Sequence, residues 1–142
     1  MSDTKPFNQS HYDADDSAKH LVIDWLRRRD YDAWVNDDQY GVDVIALRGD
    51  QQYGIEVEVK HAWSGARFPF TTLHYAARKL RFLDAGAPVH FFTINEQRTH
   101  ALVVAGHHLL DSPIVVKQTI YTEHERFVSV PIACARLRSL DN

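Results

Sequence analysis

Three acidic residues and one lysine stand at spacings that suit metal-dependent chemistry. Asp43 lies in an aliphatic segment, and Glu56, Glu58 and Lys60 alternate with apolar residues further along the chain. Alternate side chains of a β-strand point to the same face, so the two glutamates and the lysine share one face. Carboxylate oxygens are the donors that Mg²⁺ and Mn²⁺ prefer. The pattern indicates a binding site for a divalent cation.

A tight turn is needed to bring Asp43 to that face. The tetrapeptide over 48–51 has glycine and aspartate at its centre and predicts a β-hairpin. A two-residue loop places Asp43 opposite Glu56 and diagonal to Glu58, at roughly 5 and 7 to 8 Å. A loop with an odd number of residues would send Asp43 to the other face. We expect the two-residue loop.

The charged face has two interpretations. In the simpler one it is the solvated side of an edge hairpin, in which Lys60 only neutralises a carboxylate. In the other, an Asp followed after a hairpin by Glu-x-Lys resembles the signature of the PD-(D/E)xK nucleases, the superfamily with the restriction-endonuclease-like core. The motif reads Val42-Asp43 and then Glu58-Val59-Lys60. Val42 stands where the motif name has proline.

This resemblance implies an α/β fold with a restriction-endonuclease-like core. Such a core is a mixed central β-sheet flanked by helices in the order α-β-β-β-α-β, here with extra C-terminal strands and within a single domain over 1–142. The hydrophobic patterns predict elements in that order. They are a helix over 16–29, strands over 32–36, 41–48 and 52–60, a second helix over 71–84, and strands over 88–95, 101–105, 114–120 and 126–130.

The chemistry that the resemblance implies is hydrolysis of DNA phosphodiester bonds by a Mg²⁺- or Mn²⁺-dependent endonuclease. Asp43, Glu58 and the backbone carbonyl of Val59 would hold the metal, which activates water and polarises the phosphate. Lys60 would position the attacking water and offset charge in the transition state. Three roles are open for Glu56: an additional ligand, an acid outside the ligand shell, or an exposed residue beyond the pocket.

Basic side chains near the motif are candidates for binding nucleic acid. The resemblance implies that the second predicted helix flanks the active site and carries a stripe that contacts phosphates, with an ordinary solvated basic face as the alternative. The stripe consists of His74, Arg78, Lys79 and Arg81. In the preceding loop, Arg67 or Trp63 can reach a strand of nucleic acid, whereas Phe68 and Phe70 are expected to pack against the sheet.

Composition limits the class of protein. The chain has 142 residues and 44% apolar residues, enough for one core. Its 16 Lys and Arg against 19 Asp and Glu give a net charge of −3, which excludes a protein that coats nucleic acid through an overall positive field. The single cysteine, Cys134, excludes an internal disulfide, and the nine histidines lack zinc-motif spacing.

The expected partner is DNA, and the expected location is the cytoplasm, because the sequence shows no membrane span and no apolar secretory core. A homodimer that presents two sites to two strands is a reasonable hypothesis. Resolvase-like action on branched DNA and DNA processing in phage or mobile elements are both open. The alternative function is a non-catalytic nuclease-like fold that binds nucleic acid or a protein partner.

Overall fold

A six-stranded mixed sheet lies at the centre of the computed structural model, which describes residues 9–119 and 124–141, with side chains from Asp16 onward. The helices and strands are α1 (Gln9–Arg27), β1 (Asp32–Val35), β2 (Val44–Arg48), β3 (Gln51–Val59), β4 (Thr72–Ala76), β5 (Val89–Ile94), β6 (His100–Ala105), α2 (His107–Leu110), β7 (Ile114–Lys117), β8 (Glu125–Pro131) and β9 (Arg136–Ser139). Two 3-10 helices span Ala77–Asp84 and Ile132–Cys134.

The large sheet has the strand order β1-β2-β3-β5-β6-β9. Its first three strands are antiparallel, β3 and β5 are parallel, and β6 pairs antiparallel with both β5 and β9. A smaller antiparallel sheet has the order β4-β8-β7. The predicted fold class, a mixed central sheet with flanking helices and extra C-terminal strands, is therefore confirmed.

Helix α1 covers one face of the large sheet. Its apolar side chains recur at helical spacing, and Val22, Trp25 and Leu26 are buried against Val57 and Phe92 of the sheet. The indole nitrogen of Trp25 also donates a hydrogen bond of 2.9 Å to a carbonyl of β9. This helix therefore fixes one layer of the core on the side of the sheet away from Glu56 and Glu58.

The smaller sheet covers the opposite face. Tyr75 of β4 and Val128 of β8 are buried in one cluster with Phe91 and Val104 of the large sheet. On β3, Glu56 shares this side because it alternates with the apolar residues that face α1. The acidic face of β3 is thus enclosed between two sheets.

The helix predicted over 71–84 is wrong. The segment forms strand β4, Thr72–Ala76, followed by the 3-10 helix Ala77–Asp84. Its apolar residues fit helical spacing, but Leu73 and Tyr75 also fit the period of a strand, and they pair with Val130 and Val128 of β8. Pairing with β8 decides between the two periods, which local sequence leaves ambiguous.

Each of the other predicted elements is present, although α1 begins at Gln9 and not at residue 16, and β2 begins at Val44 and not at residue 41. The strand predicted over 114–120 is β7, which ends at Lys117, and Ile120 lies outside the described residues. Among the described residues, no helix combines the length and apolar character required to cross a membrane.

Candidate active site

The β2–β3 hairpin places Asp43 beside Glu56. The two-residue turn is confirmed, because Val44 pairs with Ile55 and Asp43 is the next residue outward. The Asp43 backbone N–H donates to Glu56 Oε2 at 2.9 Å, and the Val57 backbone N–H donates to Asp43 Oδ2 at 2.8 Å. These two hydrogen bonds hold the carboxylates at the point where β2 begins.

Two lysines neutralise these acids. Lys19 on α1 lies 3.5 Å from Asp43 Oδ1, and Lys79 on the 3-10 helix lies 3.2 Å from Glu56 Oε1. The side chains of Lys79 and Glu56 are only 13% and 6% exposed, so this second ion pair is nearly buried. Sequence reasoning missed the role of both lysines, because nothing local links α1 or residue 79 to the hairpin.

The ammonium of Lys79 lies within the field of all three acids. Burial acts to lower the pKa of Lys79, but the charges of Glu56, Glu58 and Asp43 outweigh burial and raise it. Lys79 therefore stays protonated. Its ammonium offsets part of the negative charge of the acidic face.

Glu56 is the most perturbed acid of the site. Burial raises the pKa of its carboxyl to about 7, with a further increase from Asp43 and a partial offset from Lys79. The exposed position considered for Glu56 is wrong, since the residue is 5% exposed. It is an acid inside the site whose charge changes close to neutral pH.

Glu58 lies two residues further along β3, half-buried beside β5. Its strand partner is Thr93, and Glu58 lines a small crevice together with Tyr75. The buried hydroxyls of Tyr75 and Thr93 have no hydrogen bond of acceptable geometry among the described residues. Burial and the charge of Glu58 raise the pKa of Tyr75, although the Thr93 hydroxyl partly offsets the rise. The crevice therefore places the Tyr75 hydroxyl beside the Glu58 carboxylate.

Lys60 follows directly after β3. Its backbone N–H donates to the carbonyl of Ile94 at 2.8 Å, which fixes the end of the strand next to Val59. The ammonium lies 5.2 Å from the ring centroid of Phe70 and is half-buried. The charge of Lys60 also acts on His74, so the lysine lies between the end of β3 and strand β4.

The residues predicted to bind nucleic acid do not form one helical stripe, because they lie partly on β4 and partly on the 3-10 helix. His74 contacts Ser129 Oγ at 3.1 Å and Lys117 Nζ at 2.8 Å. Burial, followed by the charges of Lys117 and Lys60, lowers the pKa of His74, which favours its neutral form.

The remaining basic candidates have different surroundings. Arg78 forms a 2.9 Å ion pair with Glu125, and an Arg81 guanidinium nitrogen donates to the Tyr40 carbonyl at 3.0 Å. Arg67 is exposed in the loop after β3.

The interpretation of Trp63 as a nucleic-acid contact is contradicted by its burial. This tryptophan is 0% exposed and packs edge-to-face on Phe68, with ring centroids 5.3 Å apart. It is a core residue, and Phe68 packs as expected, whereas Phe70 is 44% exposed. The signal was ambiguous because an aromatic residue in a polar loop fits either role.

The acidic face has the oxygen donors of a site for a hard cation, but these donors are not arranged as a metal site. Within residues 16–119 and 124–141, no three His, Cys, Asp or Glu side chains converge in a metal-binding arrangement. The carboxylates of Asp43, Glu56 and Glu58 are nevertheless the oxygen donors that Mg²⁺ and Mn²⁺ prefer. The groups present fit such a cation chemically, with Lys79 as the competing positive charge.

No family model matches the chain, and no curated protein matches it. Among solved structures, it resembles Hjc, a Holliday junction resolvase from Archaeoglobus fulgidus, with a TM-score of 0.56 and 12% identity over 85% of this chain and 86% of that one. The chain has the restriction-endonuclease-like fold. A weaker similarity, with a TM-score of 0.44 and 13% identity over 94% and 89% of the two chains, relates it to D212, a nuclease from a fusselovirus. The similarity to Hjc confirms the fold expected from the PD-(D/E)xK resemblance.

Proposed function

We propose that this chain is a metal-dependent nuclease that hydrolyses phosphodiester bonds in DNA as an endonuclease. The observation that carries the proposal is the hairpin register, which brings Asp43 against the acidic face of β3, where Glu58 and Lys60 follow. The restriction-endonuclease-like fold supports it, because the motif lies on the second and third strands of that core.

The residues proposed to hold Mg²⁺ or Mn²⁺ are Asp43, Glu58 and the backbone carbonyl of Val59, with Glu56 as an additional ligand. Such a cation, when bound, polarises a phosphate and lowers the pKa of water. The carboxylate oxygens of Asp43, Glu56 and Glu58 support this assignment. Because Lys79 already neutralises the acids, binding of a cation has to compete with its ammonium.

The chain's own groups have separate proposed roles. Lys60 follows Glu58 by two residues at the end of β3 and would orient the attacking water and offset charge on the phosphate. The Tyr75 hydroxyl, whose pKa is raised, stays protonated and can donate a hydrogen bond in the crevice. Lys79 keeps Glu56 from being an isolated buried charge.

The proposed substrate is DNA held through its phosphates by basic residues around the acidic face. Arg67 is exposed and needs no rearrangement to contact a phosphate. Arg81 is also exposed, whereas His74 and Arg78 keep protein contacts that DNA would have to share. Lys79 serves the site through Glu56, so its proposed contribution to DNA binding is indirect.

Branched DNA and a homodimer complete the proposal. The similar structure Hjc is a Holliday junction resolvase, which makes a four-way junction the first branched substrate to test. Two copies of this chain would present two acidic sites to two strands. Light scattering with and without junction DNA tests the dimer, and a monomer under both conditions would contradict it.

The cleavage experiment compares labelled duplex, single-stranded and four-way-branched DNA in Mg²⁺ or Mn²⁺. The native chain is set beside Glu58→Gln and the matched control Asp50→Asn, which changes an exposed acid in the hairpin turn. We expect cleavage by the native chain and the control but not by Glu58→Gln. Cleavage that survives Glu58→Gln would refute the assignment.

Cation binding is measured separately by calorimetric titration with Mn²⁺. Binding should disappear in Asp43→Asn and persist in Asp50→Asn. Equal binding by all three proteins would place the cation elsewhere.

A second candidate function, a non-catalytic nuclease-like fold that binds nucleic acid, is favoured by one observation. Lys79 is nearly buried and pairs with Glu56, and Lys19 pairs with Asp43, so two of the three acids have cationic partners without a metal ion. In that case DNA would bind without being cut in the presence of Mg²⁺ or Mn²⁺, and Glu58→Gln would leave DNA affinity unchanged. Cleavage by the native chain would reject this second function.

A further inference from the structure

A large cavity lies on the face of the central sheet away from the acidic site. Its volume is about 630 Å³, which is within the usual range of small-molecule sites. Its apolar walls include Trp25 of α1, Ile55 of β3 and Phe92 of β5. Because Ile55 alternates with Glu56 along β3, the sheet itself separates the cavity from the acidic face.

The ionisable lining is basic. Four arginines and three histidines line the cavity, and among the described residues that form its wall none is acidic. The arginines come from distant parts of the chain and are Arg29, Arg48, Arg136 and Arg138. This concentration contrasts with the net charge of −3 of the whole chain. The cavity is therefore electrostatically complementary to an anion.

Two arginines of the lining, Arg29 and Arg138, are close enough to repel one another. The pKa of Arg29 is lowered mainly by burial and further by the charges of Arg28 and Arg138. The pKa of His90 is lowered by burial and by His107. Asp30 acts on Arg48 at one side but does not line the cavity. The lowered pKa favours the neutral form of His90, so the repulsion that an anionic ligand would relieve is the one between Arg29 and Arg138.

Aromatic rings lie beside these charges. Tyr53 packs edge-to-face between Tyr31 and His90, with centroid distances of 5.9 and 5.7 Å. The Arg29 guanidinium lies 3.8 Å from the ring centroid of Trp25. Planar aromatic and guanidinium groups stack with bases, and arginine forms paired hydrogen bonds with phosphate. The lining thus combines contacts for a planar ring with contacts for phosphate.

We propose that this cavity binds a nucleotide, with its phosphate at Arg136 and Arg138 and its base against the aromatic wall. The volume exceeds what an inorganic phosphate needs, and the apolar wall gives a base a surface to cover. Two sources share this chemistry: a free nucleoside phosphate and the terminal nucleotide of a DNA strand. The site is distinct from the acidic face, so the inference does not rest on the proposed nuclease activity.

Calorimetric titration of the full chain in EDTA at low salt tests the proposal without cleavage. The probes are dATP, inorganic phosphate and a 5′-phosphorylated single-stranded oligonucleotide. The test variant is Arg136→Gln/Arg138→Gln, which changes two exposed strand residues, and the matched control is Arg126→Gln on β8. Loss of two charged phosphate contacts should weaken binding by at least about tenfold, whereas the control should bind as the native chain does.

The outcomes separate the two sources. Binding of dATP that the double variant weakens supports a site for free nucleotides, and the same result with the oligonucleotide alone supports a strand terminus. Phosphate binding as tight as dATP binding would overturn the nucleotide assignment. Absence of binding by every probe, or binding that the double variant leaves unchanged, would overturn the site.

Glu58→Gln distinguishes this cavity from the acidic site. Nucleotide binding should be normal in Glu58→Gln even where DNA cleavage is lost. Loss of nucleotide binding in that variant would place the ligand at the acidic face and overturn the proposal. Failure of the cleavage experiment leaves the binding result intact, so the two proposals fail independently.

Discussion

Replacing Glu56 by glutamine should change how the stability of the protein depends on pH. The Glu56 carboxyl has a pKa near 7 in the folded chain and an ordinary value of 4.5, chiefly because the residue is buried. An acid whose pKa is raised by folding contributes stability that is fully present below pH 4.5 and is lost as pH rises through about 7. Glutamine keeps an oxygen that can accept the Asp43 N–H and does not titrate.

The expected magnitude follows from this shift. Between about pH 5 and pH 8, folding linkage through Glu56 should lower the free energy of unfolding of the native chain by about 2 kcal/mol relative to Glu56→Gln. The native chain therefore loses stability relative to Glu56→Gln as pH rises. A Lys79 charge that stays constant over this range does not alter the difference.

Urea unfolding of both proteins in EDTA at the two pH values measures the effect. Asp50→Asn serves as the control, since Asp50 is exposed and far from the ion pair in the hairpin turn. Its difference from the native chain should be the same at both pH values. If the difference between the native chain and Glu56→Gln is also constant with pH, the reasoning about Glu56 burial is refuted.

Three further predictions concern the buried ion pair and the packing of the core. Lys79→Met should lower the free energy of unfolding by up to about 3 kcal/mol, and by more at pH 8 than at pH 6, because the buried Glu56 carboxyl is charged mainly above its pKa of about 7. Adding Glu56→Gln should recover much of that loss in urea unfolding, and additive losses would count against the ion pair. Trp63→Ala should cost about 3 to 5 kcal/mol in the same assay; reduced DNA binding at unchanged stability would contradict a core role. Gly106→Ala should lower the free energy of unfolding in the same assay by an overpacking cost of about 1 to 3 kcal/mol, since an added Cβ would lie 2.7 Å from the Val89 carbonyl oxygen. Unchanged stability would contradict this steric argument.

The hairpin was predictable from sequence because two signals agree. Gly49 takes the positive φ of 60° that a tight turn requires, and the strand beyond it alternates between apolar and charged residues. Together they define the register that places Asp43 beside Glu56. The fold class followed from the resemblance to the PD-(D/E)xK nucleases, which residues of this hairpin carry.

The partners of the acidic face were not predictable in the same way. The segment after Thr71 fits two periods, and its pairing with β8 depends on residues more than 50 positions away, as Leu73 with Val130 shows. Because this segment forms β4 and a 3-10 helix and not one long helix, Lys79 lies beside Glu56. The basic cavity was missed for a related reason, because it joins residues as distant in sequence as Trp25 and Arg138.

The measurement that tests the central claim most directly is single-turnover cleavage of DNA by the native chain and Lys60→Met, with DNA affinity measured in parallel. Lys60 is proposed to act on the attacking water, so its loss should reduce the cleavage rate by at least about a hundredfold while affinity changes little. Arg126→Gln, which alters an exposed cation on β8, should cleave normally. Equal cleavage by the native chain and Lys60→Met would contradict the assignment of the nuclease site to Asp43, Glu58 and Lys60.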